Sequence, residues 1–134
     1  MRELSVALML VVAASQAAAA DSSASQLAGW ANEVGSPVSA FSTARGEALF
    51  RGKHARAGGE EGGCYSCHTD DPRKAGRTRA GKAIEPLAPA ATATRFTDAA
   101  KTEKWFARNC GDVLGRPCTA VEKGDFLTWL MSIR

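Results

Sequence analysis

The sequence predicts an all-α fold, and three observations carry that expectation. Apolar residues recur at helical spacing in separate segments, most of these segments open on a capping residue or stop at a Gly/Pro break, and no segment alternates convincingly enough to claim a strand. The chain has 134 residues. Once a leader is set aside, that length suits one small domain with a modest core.

The elements follow in order. Ser22 to Val34 reads as a helix, with Leu27, Trp30 and Val34 spaced at three and four, and Gly35-Ser36-Pro37 breaks it. Ser42 can cap a helix running to about Lys53, with Ala44, Ala48, Leu49 and Phe50 as candidate buried positions. Gly58 to Gly63 reads as a flexible polar loop, and Pro72 to Thr94, rich in Pro, Gly and Ala, as mostly irregular chain. Thr97 can cap a helix from about Asp98 to Arg108, with loop expected from Gly111 to Pro117. Thr119-Ala120-Val121-Glu122 has the capping-box pattern. The helix it opens shows Phe126, Trp129, Leu130 and Ile133 on one face, and it is expected to pack on the helix carrying Phe50.

Residues 1–20 are expected to be a secretory signal peptide. Arg2 precedes an apolar stretch from Leu4 to Ala14, and Ala18-Ala19-Ala20 offers a small-residue cleavage site. The apolar stretch is too short for a stable transmembrane helix, although a helical anchor is the competing reading. The mature domain would be residues 21–134, exported to the periplasm, soluble and without a transmembrane span. The net charge is +3, and the basic residues are scattered rather than clustered, which argues against a nucleic-acid partner.

Cys64-Tyr65-Ser66-Cys67-His68 carries the chemistry. Two thiols one helical turn apart can each add to one porphyrin vinyl group, and the adjacent histidine can then place a ring nitrogen on the iron. One covalent haem c is therefore expected, with Cys64 and Cys67 attached and His68 as an axial iron ligand. Two other readings compete. A thioredoxin-like pair would need a strand–helix context. A zinc site would combine Cys64 and Cys67 with Cys110 and Cys118. In an exported chain Cys110 and Cys118 are instead expected to form a disulfide. Closing so short a loop contributes about 2.5 kcal/mol in the chain-entropy model. The Ile84-Glu85-Pro86-Leu87-Ala88-Pro89 stretch is the expected source of a backbone carbonyl that accepts the other ring N–H of His68.

The opposite axial position decides the chemistry. Met131 is the one methionine beyond the leader and lies three residues from the chain end, inside the last helix, a poor place for a ligand. His54 is the one other histidine, ten residues before Cys64. Lys101 and Lys104 read as a solvated helix face. Asn109 lies beside Cys110, where a helix cap is the competing reading.

The helix pair around Gly46-Glu47-Ala48-Leu49-Phe50 and Phe126-Leu127-Thr128-Trp129-Leu130, together with the element order, resembles class I cytochromes c. Within that class, Ile84 to Pro89, Arg95-Phe96-Thr97-Asp98 and Lys104-Trp105-Phe106-Ala107-Arg108-Asn109-Cys110 resemble the sphaeroides haem protein family. The resemblance spans about Thr43 to Leu130, and the polar insertion between Phe50 and Cys64 departs from ordinary class I members. It implies an asparagine axial ligand, Asn109, beside a Cys110–Cys118 disulfide. It also implies a dihaem cytochrome c as electron donor. An amide oxygen suits ferric better than ferrous iron, so the bond would weaken on reduction and open the site to O2, NO or CO. A plain electron carrier with a permanent sixth ligand, or a haem peroxidase or nitrite reductase, are the alternatives. No catalytic acid–base pair is visible in the sequence.

Overall fold

A computed structural model describes residues 22–56 and 59–134. The expected signal peptide lies outside the described residues. Five helices dominate. α1 includes residues 22–33. α2 spans Thr43–Arg51, α3 Tyr65–His68, α4 Ala99–Leu114 and α5 Ala120–Ser132. The all-α expectation holds, with two small additions that the sequence reading did not include. β1 (His54–Ala55) pairs antiparallel with β2 (Glu61–Gly62), and β3 (Gly76–Arg77) with β4 (Ala83–Ile84). The stretch read as a flexible loop is thus partly a ribbon, with His54 opposite Gly62 and Ala55 opposite Glu61. Arg56 helps to hold it there, donating from Nη2 to the Gly63 carbonyl at 3.0 Å. None of these strands is long enough to show alternation.

α2 and α5 cross face to face, as expected. The residues at the crossing differ from the expectation: Ala44 and Ala48 are exposed, whereas Gly46 and Phe50 are buried. The reason is close approach. A Cβ on Gly46 would collide with the Asp125 backbone carbonyl and come within 2.8 Å of Trp129 Cβ, so the two helix backbones meet where a side chain is absent. Asp125 then ties the crossing. Its buried carboxylate accepts from Ser42 N at 2.7 Å and from Arg45 Nε and Nη2 at 2.7 and 2.8 Å. Ser42 Oγ meanwhile caps α2 by accepting from Arg45 N at 3.2 Å.

α4 corrects the expected boundaries at both ends. Its cap is Asp98, whose Oδ1 accepts from Lys101 N, while the Thr97 hydroxyl turns back to the Thr94 carbonyl. At the other end Gly111 does not stop the helix, which continues to Leu114. Cys110 and Val113 bury one face through that stretch, and Gly115 ends it in the left-handed conformation, φ 70°. The capping box of α5 forms as expected between Thr119 and Glu122.

α5 separates two apolar clusters. On one side Trp30, Ala31, Phe41, Ala120 and Leu127 pack together, with Met131 at the margin. On the other, Phe50, Leu87, Phe126, Trp129 and Leu130 form a second cluster, with Cys64 and Tyr65 at its edge. Phe96 and Phe106 touch both.

Candidate haem site

The Cys64–His68 segment folds as a single helical turn. Its backbone closes through Cys67 N and His68 N, both donating to the Cys64 carbonyl at 3.2 and 3.1 Å. That geometry presents the two thiols one turn apart, with the imidazole next to the second. Two neighbours hold the turn. Ser66 Oγ accepts from Gly63 N at 3.1 Å. On the far side, β3 lies so close that a Cβ on Gly76 would strike the Cys67 carbonyl.

The surroundings suit a large apolar group. Tyr65 and Cys64 border the cluster of Phe50, Leu87 and Phe126, and Phe96 and Phe106 complete its margin. Burial pushes the Cys64 thiol up to about 11, so it stays protonated at neutral pH. Burial, and after it the charge of Arg95, pushes His68 down to about 4, so the imidazole is neutral and its lone pair is available for a metal. Two free thiols and a neutral imidazole beside an aromatic wall are the donor set that covalent haem needs.

The zinc alternative fails on geometry. Cys110 and Cys118 are bonded to each other, with Cα atoms 5.6 Å apart, while Cys64 and Cys67 remain free. Among the described residues no group of three or more His, Cys, Asp or Glu side chains is arranged to hold a metal ion. The thioredoxin-like alternative lacks its context, since only the two-residue strand β2 and not a core strand precedes the motif.

The remaining ligand candidates separate clearly. Met131 belongs to the Trp30 cluster, not to the one bordered by Cys64. Lys101 and Lys104 are exposed. His54 sits on β1, which lies against α4, and its Nε2 is buried with no hydrogen-bond partner. Asn109 is exposed, and among the described residues its side chain makes no hydrogen bond. It lies well inside α4, so the helix-cap reading falls: the C-cap is Gly115. Asn109 stands one turn beyond Phe106 on the same side of the helix, next to the buried Cys110.

In the Ile84–Pro89 stretch expected to face His68, the Glu85 and Pro86 carbonyls accept from Arg95, from Nη2 at 2.6 Å and Nε at 2.9 Å. The sequence reading missed Arg95, although the residue lies in a stretch already singled out. A guanidinium nine residues from its acceptor leaves no local signature.

Comparison with known proteins fits this geometry. Residues 36–130 match the family described as a domain of unknown function, DUF1924. The cytochrome c-type protein SHP of Cereibacter sphaeroides is 46% identical over 124 residues, covering 92% of this chain and 94% of that protein. The structure of oxidised SHP, described as an oxygen-binding cytochrome c, matches with a TM-score of 0.74 and 45% identity, covering 81% of this chain and 94% of that one. The solution structure of cytochrome c'' from Methylophilus methylotrophus, described in terms of haem-ligand detachment, matches with a TM-score of 0.70 and 33% identity, covering 83% and 93%. The chain belongs to the sphaeroides haem protein family: it is a c-type cytochrome with a class I cytochrome c-like fold and covalently bound haem c.

Proposed function

We propose that this cytochrome accepts electrons and binds a diatomic molecule at ferrous iron, through a sixth ligand that is released on reduction. Cys64 and Cys67 would carry the thioethers, and His68 and the Asn109 amide oxygen would be the two protein ligands of the ferric iron. The observation that carries the reading is the placement of Asn109. It follows Phe106, which packs in the cluster bordered by Cys64 and Tyr65, and it precedes Cys110, whose disulfide to Cys118 fixes that part of α4. Its amide is committed to no other partner among the described residues. The oxygen binding described for SHP and the ligand detachment described for cytochrome c'' support the same reading.

The chemistry follows from donor hardness. With haem bound, the neutral amide oxygen of Asn109 would favour ferric over ferrous iron, and the reduced group would supply the binding of O2, NO or CO. A dihaem cytochrome c is the proposed electron donor. Residues 1–20 are the proposed export signal, which would place the mature protein in the periplasm. Among the described residues no helix is long and apolar enough to cross a membrane.

Absorption spectra of the oxidised, reduced and CO-treated reduced protein, beside Asn109→Ala, test the proposal. The expected result is a high-spin ferric spectrum that the substitution alters, with a five-coordinate ferrous form that takes CO at once. A low-spin spectrum in both states, unchanged by CO and by the substitution, would overturn it. His54, with its unpartnered Nε2, would then be the next residue to substitute, as the sixth ligand of a plain electron carrier.

A further inference from the structure

The flanks of α4 are fixed in direction. Thr102, Phe106, Cys110 and Val113 form its buried or partly buried stripe. On one side of that stripe the Glu103 carboxylate accepts from Trp30 Nε1 at 2.7 Å and from Lys123 Nζ at 3.0 and 2.9 Å, so α1 and α5 lie there. The segment entering the helix is tied to α1 as well, because the Phe96 carbonyl accepts from Ser23 Oγ at 3.3 Å and Gln26 Nε2 at 2.8 Å. Near the other end the Cys110–Cys118 bridge joins α4 to the chain just before α5. Held at both ends and along one side, the helix cannot roll.

Its other flank carries Trp105 and Asn109. At about 100° per residue, Trp105 lies about 160° around the helix from Glu103 and only about 40° from Asn109, one turn earlier. Phe106 lies about 60° from Asn109 on the opposite side, and packs in the cluster bordered by Cys64 and Tyr65. Asn109 thus stands between two aromatic side chains of the preceding turn, and the fold treats them differently. Phe106 packs edge-on against Trp30 and Phe126. Trp105 is 42% exposed, the only exposed aromatic side chain among the described residues. It is not left loose, because the Arg108 guanidinium lies over the indole, 5.6 Å from the ring centroid, and braces it.

We propose that Trp105 is a specificity-determining residue of the gas site: its indole, braced by Arg108, walls the space beside Asn109 that a diatomic molecule enters once Asn109 is released. The inference rests on Asn109 being an iron ligand lost on reduction. A planar side chain one turn from the ligand position limits the size of molecule that fits on this flank, which is discrimination by exclusion. An indole suits the task, since it is large and turns about only two side-chain bonds.

The test uses the reduced holoprotein, with CO and n-butyl isocyanide as probes. Both association rates are read from absorption, and the isocyanide-to-CO ratio is the measure, because a general loosening of the domain moves both rates together. Trp105→Ala is expected to raise the ratio about fivefold, the weight of one aromatic contact. Trp105→Phe keeps a ring at the position and should stay within about twofold of the parent. Arg108→Ala frees the indole and should raise the ratio about twofold, as for an exposed cation–π pair. That order of effects supports the proposal. A ratio unmoved by Trp105→Ala, or moved as far by Trp105→Phe, overturns it. If Trp105→Ala yields no folded protein, Arg108→Ala decides: a rise supports the wall and no rise overturns it. A parent ferrous protein that takes no CO would refute the released-ligand reading and this inference together, whereas CO uptake with a ratio indifferent to position 105 refutes this inference alone.

Discussion

The two apolar clusters on either side of α5 are finished differently. Around Trp30 several polar groups at the margin find partners within the chain, although Gln26 Oε1 on α1 is buried without one. Trp30 Nε1 donates to Glu103 at 2.7 Å, Lys123 bonds both Glu103 oxygens and lies 5.3 Å over the indole ring, and Ser22 Oγ donates to the Thr97 carbonyl. Around Phe50 the margin includes a protonated Cys64 thiol and Tyr65, beside Leu49, Phe96, Phe106 and Ile133. His54 Nε2 and Arg56 Nε are buried without partners, and the amide of Asn109 is uncommitted. A buried polar group without a partner costs stability, so a chain retains such groups where something else supplies the bond. The first cluster closes mostly on the chain itself, and the second is bordered by the haem motif.

The largest test of that contrast is Phe50→Ala. Phe50 is fully buried and packs on Phe126 and Trp129, so the loss should be about 4 kcal/mol in urea unfolding of the holoprotein. The haem absorption bands should shift as well, because Cys64 and Tyr65 border the same cluster. Leu127→Ala, equally buried but on the Trp30 side, should cost about 3 kcal/mol and leave those bands in place. If both substitutions moved the spectrum alike, the division between the clusters would be wrong.

Next comes the disulfide. Replacing Cys110 and Cys118 by serine should cost about 2.5 kcal/mol. It should also change the ferric spectrum, since the bridge fixes the turn of α4 that carries Asn109. A loss of stability with an unchanged spectrum would make the bridge a staple and nothing more.

The smallest effect is expected at the cap of α5. The side-chain hydrogen bonds from Arg116, with the Thr119 backbone N–H assisting, hold Glu122 at about 2, below its usual range. A depressed carboxylate contributes stability above its unfolded value near 4.5, and that contribution is lost as pH falls through about 2. Because Arg116 is exposed and Glu122 partly so, about 1 kcal/mol is expected after solvent screening. Glu122→Gln should abolish that acid-range slope in thermal unfolding and leave the neutral-pH spectrum untouched.

What could be read from the sequence follows the distance between partners. The capping box Thr119–Glu122 and the haem motif are contiguous, so their geometry is written in their spacing. The cap at Asp98 was placed one residue early because Thr97 and Asp98 are both good caps, and only the fold sends the Thr97 hydroxyl to Thr94. α4 was cut short because Gly111 looks like a stop. The buried face at Cys110 and Val113 outweighs the propensity of one glycine. Asp125 reaches Ser42 and Arg45 across 83 and 80 residues, and no local pattern announces such a bond. At the site, Cys64, Cys67 and His68 were legible from chemistry alone. Asn109 came from family resemblance, because an asparagine has no ligand spacing of its own, and Arg95 emerged only when its carbonyl partners were visible.

The hold that α1 exerts on Phe96 has a different kind of consequence. Ser23 and Gln26 grasp a backbone oxygen, so the link does not depend on which side chain occupies position 96. Substitutions there can repack the aromatic junction without untying the helix from the segment that carries Arg95. Severing the link takes a change in α1 itself, so the path of the backbone at the junction of the two apolar clusters is set from a helix that carries none of the haem motif.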